Sequence, residues 1–352
     1  MAWLFTVLLT SAAHGGCGEN FGEMLLPPPT ARAWCERGSS FPWEATSATG
    51  STADVEIFYV CAGDPAAPAI YLNHGWPTSS FDFAALLDEL ATDHRVCALD
   101  TPGYGFSDKP DGFSYSILDD AALVEHFVRD IAGFESFVLL THDKGDSVGL
   151  ELLHRYQAAS DPGYQITHHV MLNGSIHLPS AEISSFQQAL LDDLTGPMLE
   201  ELLTGPRLAA LLGVSVYTPR LDWEEGRALA STFDYQDGTG VLHDTIGYLD
   251  ERAAFEETRW LAALEASDVP TTLIWGELDA IAVPAVADHV WEEVLLPRGD
   301  ASYWRVPCGD HYLQGPWSVE IADIVREELY GTPAPLAARD GCAAPYLHAT
   351  TP

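Results

Sequence analysis

The chain has 352 residues, of which 47% are apolar and 11% aromatic. That is enough for a large buried core and excludes a disordered or fibrous protein. Sixteen Lys and Arg stand against 52 Asp and Glu, a formal charge of −36, and so acidic a surface repels phosphate backbones and anionic lipid. Nucleic acid and membrane surfaces are therefore not expected as partners; the charge speaks to solubility and not to reaction type.

At the N-terminus an apolar run covers Trp3 to Ala13. It is too short for a bilayer, which needs about 20 residues, but suits the core of a signal peptide, with Ser11-Ala12-Ala13 as a small-residue cleavage site. No Lys or Arg precedes it, and Cys17 after Gly15-Gly16 only loosely matches a lipoprotein box. The expectation is an exported protein, with the cytoplasm as the alternative and no stable membrane insertion. Residues 14–40, rich in Gly, Pro and Ser, read as a linker, so 1–40 is taken as a signal-like segment and linker. Cys61 and Cys97 fall in strand-like runs, where a free Cys behaves as a small hydrophobe. A Cys35–Cys342 bridge would tie the two extensions together in an exported protein. No Cys or His cluster has zinc spacing, and no metal or cofactor is expected.

From residue 41 the texture changes. Val55–Cys61, Ala69–Asn73, Arg95–Asp100, Phe137–Thr141, His169–Asn173 and Thr271–Gly276 are short runs, apolar on both faces, as strands covered on both sides must be. Helical periodicity separates them, at Ile117–Ile131 and Asp146–Tyr156 for example. This alternation means an α/β fold with a mostly parallel sheet. Residues 174–268 break it with helical patterns only: Ser184–Leu194, Met198–Leu203, Trp223–Phe233, Val241–Glu251 and Ala253–Ala266. Such a block reads as a lid over the carboxyl edge of the sheet, where these folds bind ligands. The expected division is a core over 41–173 and 269–330, a helical cap over 174–268, and a loosely held tail over 331–352.

The stretch Phe137 to Gly149 is a strand, a tight turn and a helix start. That is the setting of a nucleophile elbow, with Asp143 in the nucleophile slot, Thr141 where the first Gly is usual, and Gly145 keeping the second. Upstream, Asn73-His74-Gly75-Trp76-Pro77 can aim the Trp76 N–H at the same developing oxyanion as the Lys144 N–H. Downstream, Leu273 to Asp279 ends a strand in an acid, and Val306 to Gln314 carries His311 in a loop before the last helix. Nucleophile, acid and His occur in the chain order of this fold's triad.

His74-Gly-Trp-Pro-Thr-Ser-Ser80, Gly103-Tyr-Gly-Phe-Ser-Asp-Lys-Pro110, His142-Asp-Lys-Gly-Asp146 with Glu151 to Tyr156, Leu172-Asn-Gly174 and Arg259-Trp260 together carry a family resemblance. The chain resembles the α/β-hydrolases with an aspartate nucleophile, the branch of epoxide hydrolases and haloalkane dehalogenases. It is most similar to the mesoderm-specific transcript subgroup, from about residue 55 to 330. The resemblance implies an eight-stranded α/β-hydrolase fold with an inserted helical cap, and an apolar pocket enclosing Asp143, His311 and Asp279. It implies hydrolysis of a small apolar organic substrate by water, without a cofactor.

A carboxylate nucleophile attacks an sp³ carbon and leaves an alkyl–aspartyl ester. Water activated by His311 then attacks the ester, the Trp76 and Lys144 N–H groups holding the oxyanion. Asp279 would orient His311, with Glu277 as the alternative acid; Asp310 reads as a solvated loop residue. An Asn at 173 removes the other place where this branch puts its acid.

The leaving group divides the readings. The resembling epoxide hydrolases protonate the epoxide oxygen with lid tyrosines, and Tyr248, 31 residues before Asp279, is the first candidate, Tyr217 the second. Haloalkane dehalogenases place a Trp after the nucleophile, where this chain has Lys144; Trp76 and Trp260 are then the remaining indole donors. A cation at 144 matches half of a haloacid site, with Ser147 where the second cation would be, or it pairs with an acid such as Asp146. Epoxide hydrolysis is the expected activity, dehalogenation the alternative, and a non-catalytic binding protein of the same fold the rival from another class.

Overall fold

The computed structural model describes residues 28–339 and 341–348. The Trp3–Ala13 run, its cleavage site and Cys17 lie outside the described residues. The apolar runs pair into one sheet: β1 (Ser39–Thr46), β2 (Thr52–Ala62), β3 (Ala69–Asn73), β4 (Arg95–Leu99), β5 (Ser136–His142), β6 (Gln165–Leu172), β7 (Thr271–Gly276), β8 (Ala301–Val306) and β9 (Tyr346–Leu347), in the order β1-β2-β4-β3-β5-β6-β7-β8-β9. From β4 through β8 all neighbours are parallel, and β1, β2 and β9 run antiparallel at the margins. Among the described residues the sheet has nine strands where eight were expected. The additional one is β9, whose register pairs Tyr346 with Arg305 and Leu347 with Trp304.

Side chains alternate across this sheet with period two. Tyr71, Leu139, Met171 and Leu273 enter one apolar core, while Ile70, Leu72, Val138, Leu140, Val170, Leu172 and Ile274 enter the other. Burial on both faces is what makes the parallel strands read as unbroken apolar runs.

The helices are α1 (Pro29–Arg37), α2 (Ala84–Leu90), α3 (Ile117–His126), α4 (Lys144–Ala158), then α5 (Ser185–Leu191), α6 (Gly196–Glu200), α7 (Gly205–Ser215), α8 (Trp223–Asp234), α9 (Leu242–Ile246), α10 (Tyr248–Phe255) and α11 (Ala262–Glu265) between β6 and β7, and finally α12 (Pro284–Val290) and α13 (Ser318–Tyr330). Their starts are written locally: Ser116 caps α3, and Ser184/Gln187 and Asp222/Glu225 form capping boxes on α5 and α8.

Three expectations need correction. The segment read as linker up to residue 40 holds α1, with Trp34 and Cys35 buried. The C-terminal tail is fastened, by β9 and by a Cys308–Cys342 disulfide, so Cys342 is not the partner of Cys35. Cys61 and Cys97 are not free: they face each other across β2 and β4, Cα atoms 4.1 Å apart, and are bonded. Spacing along the chain could not show this, because sheet register alone sets which strand positions oppose each other. Among the described residues no helix is long and apolar enough to cross a membrane.

What the topology does for function is local. The chain leaves β3 toward β4 on one side and β5 toward β6 on the other, which opens a crevice at the carboxyl ends of these strands. In register there lie Asn73 beside Thr141, His142 beside Leu172, and Gly276 beside Val306. Every loop that carries a candidate residue starts from this edge.

Candidate active site

Asp143 stands between β5 and α4 with φ 54° and ψ −116°. An L-residue holds such a conformation only where its surroundings enforce it, at a cost of about 1–3 kcal/mol. Two glycines let the loops close around it: a Cβ on Gly145 would lie 2.4 Å from the Asn73 carbonyl oxygen, and one on Gly75 2.5 Å from the Asp143 Cβ. The turn presents the carboxylate in two unlike environments. Oδ1 accepts the Trp76 backbone N–H at 2.7 Å. Oδ2 is 3.8 Å from His311 Nε2.

On the other side of the imidazole, Nδ1–H donates to Asp279 Oδ2 at 2.9 Å. The second oxygen of Asp279 accepts the N–H groups of Ile281 and Ala282 at 2.7 and 2.9 Å. All three side chains are buried. Burial alone would depress the His311 pKa, but the Asp279 and then the Asp143 carboxylate outweigh it and bring it up to about 9. Asp279 is raised by burial and drawn back by His311.

The loop carrying His311 is held by β6 and β5. Asn173 Nδ2 donates to the Asp310 and His311 carbonyls at 2.9 and 3.2 Å, and its Oδ1 accepts the Gly276 N–H at 3.1 Å. His142 Nε2–H donates to the same His311 carbonyl at 2.9 Å. An amide does here what a carboxylate cannot, donating to one loop while accepting from another. His74 serves the opposite wall: Nδ1–H donates to Gly75 O at 2.9 Å and Nε2 accepts the Thr101 N–H at 3.1 Å. That pairing needs the neutral ring, in keeping with a pKa lowered by burial to about 3.

Glu277 is not in this group; it accepts the Tyr346 hydroxyl at 2.6 Å. Asp310 is not a solvated loop residue. It is buried, Oδ1 accepts the His311 N–H at 2.8 Å, and Oδ2 accepts the Thr218 hydroxyl at 2.9 Å. Lys144 opens α4, so its backbone N–H belongs to the first turn, whose donors have no intrahelical partner. Its ammonium turns away from Asp146 to Asp120 Oδ2 at 2.5 Å, both buried, and lies 4.5 Å from the Tyr104 ring centre. Thr141, in place of the usual Gly, donates to Asp146 Oδ1 at 2.5 Å.

Of Tyr248, Tyr217 and Trp260, Tyr248 is the one whose phenol feels the Asp143 carboxylate. It is 1% exposed, and its phenol is raised by burial first and then by the Asp143 carboxylate, while Arg252 pulls it down. Tyr217 instead stacks on Tyr312, centroids 4.3 Å apart. Trp260 donates its indole N–H to Glu151 at 2.9 Å, beside an Arg259–Glu151 pair at 2.6 Å; both tie the insertion to α4. The Trp76 indole N–H goes to the Thr245 hydroxyl at 3.2 Å. Both indole donors are thus committed within the protein.

Tyr312, Tyr104 and Arg252 were missed in the sequence. Tyr312 packs 5.0 Å from the His311 ring and, with Tyr104, is raised by burial and by Asp143 among others. Its position next to His311 was the available signal. A cavity of about 760 Å³ opens beside the site, lined by Trp34, Phe81, Asp82, Tyr217, Leu221 and Tyr312 among others. Asp143, His311 and Asp279 are not among its lining residues, so it is not the enclosing pocket that was expected. No group of three or more His, Cys, Asp or Glu among the described residues is placed to hold a metal.

With this geometry and the crossed β4-β3-β5 order, the chain belongs to the α/β-hydrolase fold family, whose model matches residues 68–315. It is 32% identical over 292 residues to the putative hydrolase LipZ of Mycobacterium tuberculosis, covering 82% of this chain and 94% of that protein. It is 33% identical over 272 residues to the mesoderm-specific transcript homolog protein of Bos taurus, covering 73% and 76%. Epoxide hydrolase 3 of Xenopus tropicalis is 26% identical over 78% of this chain and 75% of its own. Among solved structures, haloalkane dehalogenase DbeA from Bradyrhizobium elkani superposes with a TM-score of 0.65 at 21% identity, over 84% of this chain and 98% of that one; this likeness is one of fold.

Proposed function

We propose that the protein is a hydrolase of the epoxide hydrolase type that works through an alkyl ester on Asp143. The observation that carries this reading is the inequality of the two Asp143 oxygens. Oδ1 is already bound by the Trp76 N–H, so it is placed to become the ester carbonyl oxygen and then the oxyanion. Oδ2, on the His311 side, is the nucleophile. It forms a bond to an epoxide carbon as the C–O bond breaks, and Tyr248 gives its proton to the departing oxygen. His311 Nε2 then takes a proton from water as that water adds to the ester carbon, with Asp279 holding the imidazolium. The Trp76 and Lys144 N–H groups receive the oxyanion. Collapse releases the diol, the alkoxide taking its proton from His311.

The commitment of both indole N–H groups to Thr245 and Glu151 favours an epoxide over a halide, because a halide would have to displace them. The helices of 174–268 act as the cap, bringing Tyr248 over the nucleophile. The Cys61–Cys97 and Cys308–Cys342 disulfides support an oxidising compartment and, with the N-terminal pattern, export.

Intact-protein mass spectrometry of His311→Gln tests the reading, because the variant should form the ester and fail to hydrolyse it. After incubation with an epoxide panel, a gain equal to the whole epoxide, localised to Asp143, is expected. A gain of the alkyl group alone from haloalkanes, with none from epoxides, would replace the reading by dehalogenation. No adduct from either panel would overturn catalysis through Asp143 and favour a binding role.

A further inference from the structure

Arg252 is the one large cation in the site that the mechanism above leaves without a task. It is fully buried, yet among the described residues no carboxylate lies within ion-pair distance of its guanidinium. Nε–H donates to Ser147 Oγ at 3.0 Å and Nη2–H reaches the Asp143 carbonyl oxygen at 3.5 Å, while among the described residues Nη1 meets no hydrogen-bond acceptor. The guanidinium carbon lies 4.9 Å from the Tyr248 ring centre, one helical turn along α10. A buried cation without a counter-ion is costly, and its guanidinium lies over the ring of the tyrosine that would become an anion on giving up its proton.

We propose that Arg252 is the positioning residue for the Tyr248 acid: it holds α10 against the elbow and stabilises the phenolate that proton donation leaves behind. This deepens the epoxide reading and rests on it. In the first step, Oδ2 of Asp143 forms the ester bond, the epoxide C–O bond breaks, and the oxygen takes the Tyr248 proton. Asp143 thereby loses its charge and Tyr248 gains one. The groups that face Tyr248 are Asp143 on the elbow, Tyr104 after β4, Tyr312 beside His311, and Arg252 on its own helix. Of these, Arg252 alone carries charge once Asp143 is esterified.

Two acids face Arg252 from neighbouring elements. Asp146, on α4, is driven toward its neutral form by burial, although the Thr141 hydroxyl resists this. Glu256 has Oε2 engaged by the Leu178 N–H at 2.8 Å. After ester hydrolysis the water oxygen remains in the Asp143 carboxyl group, and the proton of that acid returns to the phenolate. The cycle closes with one epoxide and one water consumed.

The test compares single turnovers of His311→Gln with those of His311→Gln combined with Arg252→Met or Arg252→Lys, using one epoxide that forms the adduct. Adduct formation is followed by quenched-flow mass spectrometry and the phenolate by its ultraviolet difference band, assigned by its loss in Tyr248→Phe. Arg252→Met should slow adduct formation by about tenfold to a hundredfold and abolish the transient band; Arg252→Lys should restore part of both. A merely structural arginine would slow the reaction without removing the band. Equal rates and an equal band in the Met and Lys variants would overturn the proposal and leave the epoxide reading intact. Absence of an epoxide adduct with Arg252 in place would overturn both. Should the Met variant fold poorly, the Lys variant decides: it keeps the charge but not the fork to Ser147, and an unchanged rate and band position there would count against the positioning role.

Discussion

Replacing Asp279 by Asn separates the two halves of the proposed reaction. The substitution keeps shape and burial but changes one donor pattern. The oxygen that accepts the Ile281 and Ala282 N–H groups, at 2.7 and 2.9 Å, must stay an oxygen, since an amide NH2 there would face two donors. The NH2 therefore turns to His311, where Oδ2 now accepts the Nδ1 proton at 2.9 Å. Nδ1 must become an acceptor, the ring proton moves to Nε2, and the nitrogen facing Asp143 is no longer a base. Loss of the orienting carboxylate from such a set typically costs about 10⁴-fold in turnover. Ester formation on Asp143 uses no proton from His311 and should keep its rate within about tenfold. Rapid quench with intact-mass detection should therefore show a burst of one adduct per enzyme followed by very slow turnover. A drop in both steps together, or turnover near that of the unaltered protein, would refute the assignment of Asp279 as the group that orients His311.

Three further outcomes follow from the same geometry. In the proposed reaction His311 acts only when neutral, and in the free protein its pKa is brought up to about 9 by Asp279 and Asp143 against burial; the proposed ester would remove the Asp143 charge, so ester hydrolysis should rise with pH through a value below about 9, while an NMR titration of the resting protein gives the higher one. Identical values in the two states would contradict the charge accounting. Asp120→Asn leaves the Lys144 ammonium buried without its 2.5 Å partner and should cost about 3–5 kcal/mol in urea unfolding, whereas Asp120→Leu with Lys144→Met should cost much less. Cys342→Ser opens a loop of 34 residues and should lower stability by about 4 kcal/mol under non-reducing conditions; an unchanged melting temperature would show that the bond does not constrain the chain.

The class of fold and the three groups around Asp143 were legible in the sequence, because each is carried by a short, local pattern. A strand buried on both faces must be apolar along its length, and an elbow needs small residues where its chain crosses a neighbour. Gly75 and Gly145 were therefore visible as the turn glycines of their motifs, and the folded chain shows that no side chain fits at either. Trp76 and Asp143 are 67 residues apart but each sits in its own strand-end motif, so both could be named. The Lys144 partner was misread because Asp146 is only two residues away in sequence but points elsewhere, whereas Asp120 approaches from α3.

Tertiary structure decided the rest. Whether Trp260 and Trp76 have free indole N–H groups depends on Glu151 and Thr245, each more than 100 residues away. Arg252 reads from its helix as an ordinary amphipathic position, and becomes an unpaired buried cation only when α10 is laid over the elbow. Cys61 and Cys97 read as strand hydrophobes until register sets them face to face. The sequence by itself determined the elements and the chemistry offered at their ends, because burial pattern and turn chemistry act over a few residues. Only the folded chain decided which donor meets which acceptor, because a hydrogen bond or ion pair depends on ångström distances between segments whose separation along the chain carries no record of them.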